Sequence, residues 1–123
     1  MSRKKILLVD DSETVRMMER IILGKAAYEV VVAADGIEAV EQAKAEKPDL
    51  ILMDVMMPAL DGYEACRRLK ADPETANIPV IMLTAKTQAA EQKTGADAGA
   101  MCYINKPFTP KDLVAQVREF LGE

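Results

Sequence analysis

The chain has 123 residues, of which 50% are hydrophobic, and a formal net charge of −4. This size and apolar content suit one domain with its own core, which we predict to cover residues 1–123, and the acidic balance gives no reason to expect nucleic-acid binding. The absence of histidine excludes histidine metal sites, serine–histidine or cysteine–histidine catalysis and a phosphohistidine on this chain, and the lack of a long apolar run or signal peptide predicts a cytoplasmic protein that does not contact a membrane.

In the first half of the chain, short apolar runs alternate with segments whose apolar residues recur at helical spacing. Strands are predicted at residues 6–9, 29–33 and 50–53, and the first and third show no alternation, which is typical of strands buried on both faces. Ser12 is a candidate N-cap of the first helix, and Pro48 ends the second. The core-facing residues predicted for these helices are Val15, Met18, Ile22, Ile37, Val40 and Ala43.

The second half continues the alternation with strands predicted at residues 80–83 and 102–104. The helix between these strands is weakly specified, because Gly95 interrupts it and Gly99 closes it. Thr109 begins the last helix as an N-cap, followed by a proline preset for the first helical position. The core-facing residues predicted for the third and last helices are Tyr63, Cys66, Leu69, Leu113, Val117, Phe120 and Leu121.

The two cysteines, Cys66 and Cys102, lack the spacing of metal ligands. We therefore expect reduced, buried thiols.

Five strands that alternate with five helices predict an α/β fold in which a parallel sheet carries helices on both faces. At this chain length, the flavodoxin-like strand order 2-1-3-4-5 is the economical arrangement. In such a sheet the carboxyl ends of all strands lie at one edge, where open α/β sheets bind their ligands.

Polar side chains follow four of the five predicted strands. Asp10 and Asp11 follow the first strand, Asp54 the third, Thr84 the fourth and Lys106 the fifth. Three carboxylates within about 5 Å would repel by roughly 3 kcal/mol per pair at an effective dielectric constant near 20, so we expect a compensating cation. Oxygen ligands without histidine or cysteine favour Mg²⁺. Together with the lysine and the hydroxyl, this arrangement suits a transferred phosphoryl group, with Asp54 as the attacking oxygen.

Four segments that contain these residues resemble the receiver domains of two-component response regulators, close to the single-domain chemotaxis type. The segments are LVDDS at 8–12, LMDVMMP at 52–58 with DG at 61–62, LTA at 83–85, and YINKPF at 103–108. All four occur in order, and the resemblance covers the whole chain.

The resemblance implies that Asp54 accepts a phosphoryl group from the phosphohistidine of a sensor histidine kinase or a histidine phosphotransfer protein. It implies Mg²⁺ held by Asp11, Asp54 and the carbonyl of Met56, with Asp10 acting through water. The side chains of Thr84 and Lys106 would then contact the phosphoryl oxygens. The domain would assist its own phosphorylation and dephosphorylation but would not otherwise be an enzyme.

The resemblance also implies a switch made of Thr84 and Tyr103. Because no DNA-binding or enzymatic output domain follows in this sequence, output is expected by contact with a downstream protein target. Output is expected at the surface of the fourth predicted helix, the fifth strand and the last helix. We expect a monomer, with a dimer possible on activation. The peptide bond between Lys106 and Pro107 is predicted to be cis.

Two further groups of residues are predicted to modulate the reaction. Met56 and Lys86 lie two residues after the acceptor and the threonine, where the family controls the approach of the hydrolytic water, so methionine there predicts a long-lived phosphorylated state. On the first helix, Thr14, Met17 and Ile21 are spaced to form one face outside the predicted core stripe, and we expect them to dock the phosphodonor.

Three alternatives compete with this interpretation. A haloacid-dehalogenase-type phosphatase has its two aspartates two residues apart after the first strand, whereas Asp10 and Asp11 are adjacent and the expected nucleophile is on the third strand. Nucleotide binding requires a glycine-rich turn where this chain has residues 10–14, DDSET. A receiver-like interaction module that works without phosphorylation stays open, and phosphotransfer from a kinase separates it from the main prediction.

Overall fold

The computed structural model describes residues 4–54, 62–84, 102–105 and 109–122. Its strands are β1 (Lys5–Val9), β2 (Glu29–Ala33), β3 (Leu50–Asp54), β4 (Val80–Thr84) and β5 (Cys102–Asn105). Its helices are α1 (Glu13–Lys25), α2 (Gly36–Glu46), α3 (Gly62–Ala71) and α4 (Pro110–Leu121). The helix predicted around Gly95 and Gly99 lies outside the described residues.

The five strands form one parallel sheet in the order β2-β1-β3-β4-β5, which confirms the predicted fold class and strand order. The register aligns the strand ends closely. Val9 pairs with Ala33 on one side and with Met53 on the other, and Asp54 pairs with Leu83. The residues that follow or end β1, β3 and β4 therefore lie along one edge, called here the carboxyl edge.

The sheet separates two hydrophobic clusters, because successive side chains of each strand point to opposite faces. One cluster joins β1, β3 and β4 to α2 and α3, and its fully buried members include Leu7, Ile51, Met82, Ala43 and Leu69. The other joins the same strands to α1 and α4, and its fully buried members include Leu8, Leu52, Ile81, Leu23 and Leu113. Burial on both faces explains the unbroken apolar runs of β1 and β3 in the sequence.

Side-chain caps begin three of the helices. The hydroxyl of Ser12 accepts a hydrogen bond from the backbone N–H of Val15 at 3.3 Å, as predicted for the N-cap of α1. At α4, Thr109 and Asp112 form a reciprocal capping box, with bonds of 3.0 and 3.3 Å. These caps satisfy backbone N–H groups that have no partner within the helix.

Two predicted core residues are exposed, so both predictions were wrong. Met18 of α1 is 56% exposed, because the buried side of that helix passes through Glu19 and Leu23. Because the buried side of α1 contains the charged residue Glu19, the pattern of apolar residues does not identify it. Ile37 of α2 is 50% exposed, because the small residues Ala39 and Ala43 face the sheet.

The other predicted core positions of the described helices are buried or half-buried. Cys66 is a free, buried thiol as expected, and burial raises its pKa. The side chain of Cys102 lies outside the described residues. Within the ranges that the structure describes, no helix is both long and apolar enough to cross a bilayer.

The opposite edge of the sheet, called here the amino edge, carries paired charges. The ammonium of Lys5 lies 3.1 Å from a carboxylate oxygen of Glu46 and 3.5 Å from one of Glu29. The backbone N–H of Lys5 donates to the carboxylate of Asp49 at 2.7 Å. A hydrogen bond to Glu46 is the main cause that raises the pKa of Lys5. The start of the sheet is therefore fixed by contacts between unlike charges.

The connection from α3 to β4 is held by side chains that bond to backbone carbonyls. The ammonium of Lys70 donates to the carbonyls of Ala76 and Ile78 at 3.1 and 2.5 Å, and the buried hydroxyl of Thr75 donates to the carbonyl of Leu69 at 2.6 Å. Burial lowers the pKa of Lys70. These bonds give the connection a defined path without regular secondary structure.

Candidate functional site

The parallel pairing of β1 with β3 brings the acidic residues together. Asp54 is the last residue of β3, and Asp10 follows the last residue of β1, whose partner in the ladder is Met53. The two acids therefore occupy neighbouring positions at the carboxyl edge, although they are far apart in the sequence. This is the convergence that the alternating pattern of strands and helices predicts.

Three carboxylates form the group. Asp10, Asp11 and Asp54 each offer an oxygen atom, and these oxygens all lie within 4.8 Å of one another. Asp10 is 2% exposed and Asp54 is 8% exposed, whereas Asp11 is exposed. The group thus has a buried side within the sheet edge and an open side through which a ligand can enter.

The backbone around Asp10 is fixed at three points. Its N–H donates to the carbonyl of Ala33 at 3.2 Å, and its side chain accepts from the N–H of Ser12 at 2.9 Å. Its carbonyl accepts from the guanidinium of Arg16 at 2.6 Å. The sequence interpretation treated Ser12 only as a helix cap and missed Arg16. Arg16 bonds to a backbone carbonyl, and because every residue has one, the residue pattern does not predict this contact.

The donor set of the acidic group fits a hard divalent cation. It consists of carboxylate oxygens, and the group contains neither imidazole nor thiolate, so oxygen-preferring Mg²⁺ or Ca²⁺ suits it better than zinc or copper. Three carboxylates at such separations also repel one another in the absence of a cation. Asp11 is exposed to solvent, which is compatible with the several waters that Mg²⁺ usually retains.

The other predicted site residues are only partly described. Thr84 ends β4 beside the acidic group, since its neighbour Leu83 pairs with Asp54, and Tyr103 lies in β5 opposite Met82; the structure describes the backbone of both. Lys106, Pro107, Met56 and Lys86 lie outside the described residues. The contacts predicted for their side chains, and the cis peptide bond, therefore stay predictions.

The residues predicted to dock a phosphodonor share an exposed face of α1. Met17 and Ile21 are 58% and 53% exposed, Thr14 is exposed, and Met18 adds another exposed apolar side chain. Large apolar side chains that cluster at the surface often mark an interaction site. Their role in docking stays a prediction.

Comparisons with known proteins agree with this geometry. The family described as the response regulator receiver domain matches residues 6–118. A protein of Cyanophora paradoxa, the probable transcriptional regulator ycf27, is 46% identical over 120 residues, which are 98% of this chain and 49% of the relative. The chain therefore spans about half the length of this curated relative.

Two solved structures show the same fold over nearly the whole chain. The chemotaxis protein CheY4 of Vibrio cholerae superposes with a TM-score of 0.93 at 34% identity, and the match covers 97% of this chain and 99% of that one. The receiver domain of the sensor histidine kinase PA1611 of Pseudomonas aeruginosa gives a TM-score of 0.91 at 34% identity, covering 99% and 100%. That structure is described as having a magnesium ion coordinated in the active site cleft.

Proposed function

This chain belongs to the response regulator receiver domain family, and from that premise we propose that Asp54 accepts a phosphoryl group in a magnesium-dependent reaction. The donor is the phosphohistidine of a sensor histidine kinase or of a histidine phosphotransfer protein. The single observation that supports this proposal most strongly is the grouping of Asp10, Asp11 and Asp54 within 4.8 Å at the carboxyl edge. The family is one of signalling proteins and not of catalytic enzymes.

In the proposed reaction, a carboxylate oxygen of Asp54 attacks the phosphorus atom of the phosphohistidine. A new P–O bond forms as the P–N bond breaks, and the bonding electron pair stays on the imidazole nitrogen. The products are an aspartyl phosphate on this chain and a free histidine on the donor. No histidine of this chain takes part, because it has none.

We assign the metal to Asp10, Asp11, Asp54 and the carbonyl of Met56, with Asp10 acting through water. When bound, Mg²⁺ neutralises negative charge on the carboxylates and on the phosphoryl oxygens. Asp10 and Asp54 are buried at the sheet edge, and Asp11 completes the group from the solvent side. Support comes from the PA1611 receiver domain, which is described with magnesium in its cleft.

The proposal is tested by replacing Asp54 with asparagine, which keeps the shape of the side chain and removes its negative charge. Incubation with radiolabelled acetyl phosphate and Mg²⁺ should label the wild type. Asp54→Asn should incorporate at least about 100-fold less label, because a neutral amide is a poor nucleophile. Asp49→Asn is the matched control, since Asp49 precedes the same strand at the amino edge. Equal labelling of the wild type and Asp54→Asn would refute the assignment.

The same experiment decides between the proposal and its alternative, a receiver-like module that binds partners without phosphorylation. A wild type that takes label neither from acetyl phosphate nor from any histidine kinase of the source organism supports the alternative. A wild type that is labelled by one kinase supports the proposal and identifies the phosphodonor.

We propose that the exposed face formed by Thr14, Met17 and Ile21 docks this donor. An apolar patch on a helix can pack against helices of the donor protein. Met17→Glu should slow transfer from a kinase but leave labelling by acetyl phosphate unchanged, because the small donor does not need the patch. Equal slowing with both donors would indicate a structural effect.

Output is proposed to pass through residues 84–108 and the adjoining helix α4, with Thr84 and Tyr103 as the switch. A shift from about 1% to 99% of the active form requires roughly 5.5 kcal/mol, which a few charge-assisted hydrogen bonds to Thr84 and Lys106 can supply. Hydrogen exchange with and without beryllofluoride and Mg²⁺ tests this. Unchanged protection in 84–108, together with a response in partner binding, would place the switch on another surface.

The direct output partner proposed for these residues is a downstream protein, bound by a monomer or by a dimer that forms on activation. The Cyanophora relative is named a probable transcriptional regulator and is about twice as long as the matched region, so transcriptional output is the alternative. The cytoplasmic location and the single domain over residues 1–123 stay predictions.

The lifetime of the phosphorylated state is proposed to depend on Met56 and Lys86. Methionine at position 56 cannot orient a hydrolytic water by donating a hydrogen bond. Met56→Asn should therefore accelerate the loss of labelled phosphate, and an unchanged rate would contradict this role.

A further inference from the structure

Arg16 lies in α1, one turn after the N-cap, and reaches back to the carboxyl edge. Its guanidinium donates to the carbonyl oxygen of Asp10 at 2.6 Å, and its side chain is half-buried. A charged donor to a carbonyl makes a stronger hydrogen bond than a neutral one. This hydrogen bond therefore links helix α1 firmly to the segment after β1 that carries Asp10 and Asp11.

The bonded carbonyl belongs to the peptide unit that joins Asp10 to Asp11. Because that unit is planar, fixing the direction of its oxygen also fixes its N–H and limits the direction in which the chain leaves toward Asp11. Asp10 has further restraints from Ala33 and Ser12 and is buried. Asp11 is exposed, so its position depends more strongly on the orientation of this peptide.

From these contacts we propose that Arg16 is a positioning residue, which holds the Asp10–Asp11 peptide so that Asp11 presents its carboxylate to Mg²⁺. The inference rests on the proposed magnesium-dependent acceptor site and extends it to a residue that does not touch the metal. Groups that orient metal ligands commonly change metal affinity by about 10–100-fold when they are removed.

Charge alone predicts the opposite sign of effect. A guanidinium near a cation site repels the cation, so removal of its charge should strengthen Mg²⁺ binding. A loss of affinity on removal of Arg16 therefore reports a geometric contribution that exceeds the electrostatic one. This difference in sign separates positioning from a general balance of charge.

The chain offers a matched control one helical turn further along. Arg20 is exposed and lines the same shallow cleft of about 200 Å³ as Arg16. Arg20→Met removes the same charge from the same helix, and it leaves the bond between Arg16 and Asp10 in place. The pair of substitutions therefore isolates the contribution of that bond.

The experiment is calorimetric titration of MgCl₂ into the metal-free full chain. Arg16→Met should bind Mg²⁺ about 10-fold more weakly than the wild type, and Arg16→Lys should fall in between, because its ammonium can still donate one hydrogen bond to the carbonyl of Asp10 but lacks the planar fork. Arg20→Met should bind as tightly as the wild type or slightly more tightly. Circular dichroism and urea titration in EDTA verify that each variant is folded.

A second readout separates positioning from simple loosening of the fold. Mg²⁺ demands near-octahedral geometry, whereas Ca²⁺ tolerates irregular coordination. Misplacement of Asp11 should therefore weaken Mg²⁺ more than Ca²⁺, and the Mg²⁺/Ca²⁺ affinity ratio should fall by about 3-fold or more in Arg16→Met. A general loss of structure would weaken both ions alike.

The outcomes are distinct. Mg²⁺ binding by Arg16→Met that equals or exceeds that of the wild type overturns the positioning role and leaves the proposed function standing. A wild type that binds no Mg²⁺, with or without beryllofluoride, overturns the proposed function itself. If Arg16→Met does not fold, Arg16→Lys decides the question by the same affinity ratio.

Discussion

The two edges of the sheet carry their charges in opposite ways. At the amino edge, Lys5 contacts the carboxylates of Glu29 and Glu46, so one positive group pairs with two negative ones. At the carboxyl edge, three carboxylates lie within 4.8 Å of one another. The same strand, β1, begins in the first arrangement and leads into the second.

This difference separates an edge whose contacts stabilise the fold from an edge that we propose to bind a cation. Paired charges at a surface contribute modestly to stability and need nothing further. Grouped like charges reduce stability until a cation joins them, so their presence at one end of a well-packed sheet indicates a binding role. Substitutions at the two edges should therefore change stability in opposite directions.

The largest effect is expected at the carboxyl edge. In EDTA, Asp54→Asn should raise the free energy of unfolding by about 3 kcal/mol, because it removes the repulsion between Asp54 and the buried Asp10 at an effective dielectric constant near 20, while solvent screens the repulsion with the exposed Asp11. Urea denaturation monitored by circular dichroism measures this change. Asp49→Asn at the amino edge should give no such gain, since Asp49 accepts a hydrogen bond from Lys5.

Addition of Mg²⁺ should make the wild type more stable than Asp54→Asn, which reverses their order in EDTA. A concentration of about 1,000 times the dissociation constant stabilises the wild type by about 4.1 kcal/mol through mass action, and Asp54→Asn should respond far less. A loss of stability for Asp54→Asn in EDTA would contradict the interpretation that the three acids repel one another.

A smaller effect of opposite sign is expected for Lys5→Met at the amino edge. The substitution leaves Glu29 and Glu46 without their shared ammonium group and should lower the melting temperature. Because ion pairs at the surface contribute little to stability, this fall should be smaller than the rise caused by Asp54→Asn. The affinity for Mg²⁺ should stay within about twofold of that of the wild type, because screening by salt limits effects across the molecule. A several-fold change in the affinity for Mg²⁺ would show that the two edges are coupled, and would contradict their separate roles.

The smallest effect concerns the ion pair of Lys44 and Asp72, whose atoms approach to 2.9 Å. The hydrogen bond from Lys44 is the main cause that lowers the pKa of Asp72 below its ordinary value of 3.8. The stabilisation is therefore complete above that ordinary value and is lost as the pH falls through the lower, folded-state pKa.

Asp72→Asn should thus be slightly less stable than the wild type at pH 7, and the difference should shrink below pH 3.8. Urea titrations at both pH values test this, with Lys44→Met as the control for the partner. A difference that stays constant across that range would show that the pair does not contribute through its charge.

The sequence predicted the strand order and the carboxyl edge well, because alternation fixes the topology and the topology places Asp10, Asp11 and Asp54 together. It predicted the side of α1 less well. Apolar residues occur on more than one side of this helix, and the buried direction passes through a glutamate, Glu19. Periodicity of hydrophobic residues cannot identify a core side that contains a charged residue.

The contacts that organise the site were beyond prediction for a related reason. Arg16 and Ser12 act on Asp10 partly through backbone groups, and every residue has the same backbone groups. Whether an arginine reaches a particular carbonyl depends on the angle between a helix and a strand. That angle results from packing over the whole sheet and not from local spacing.

The pairing of Val9 with Met53 has a consequence for how folding quality can be measured. Successive residues of a strand point to opposite faces, so a shift of β3 by one residue against β1 would turn Asp54 away from Asp10 and Asp11. The group of three acids therefore exists only in molecules in which β1 and β3 have joined in the correct register. A titration with Mg²⁺ would count the correctly assembled molecules in a refolded sample, including cases in which the helical content alone looks native.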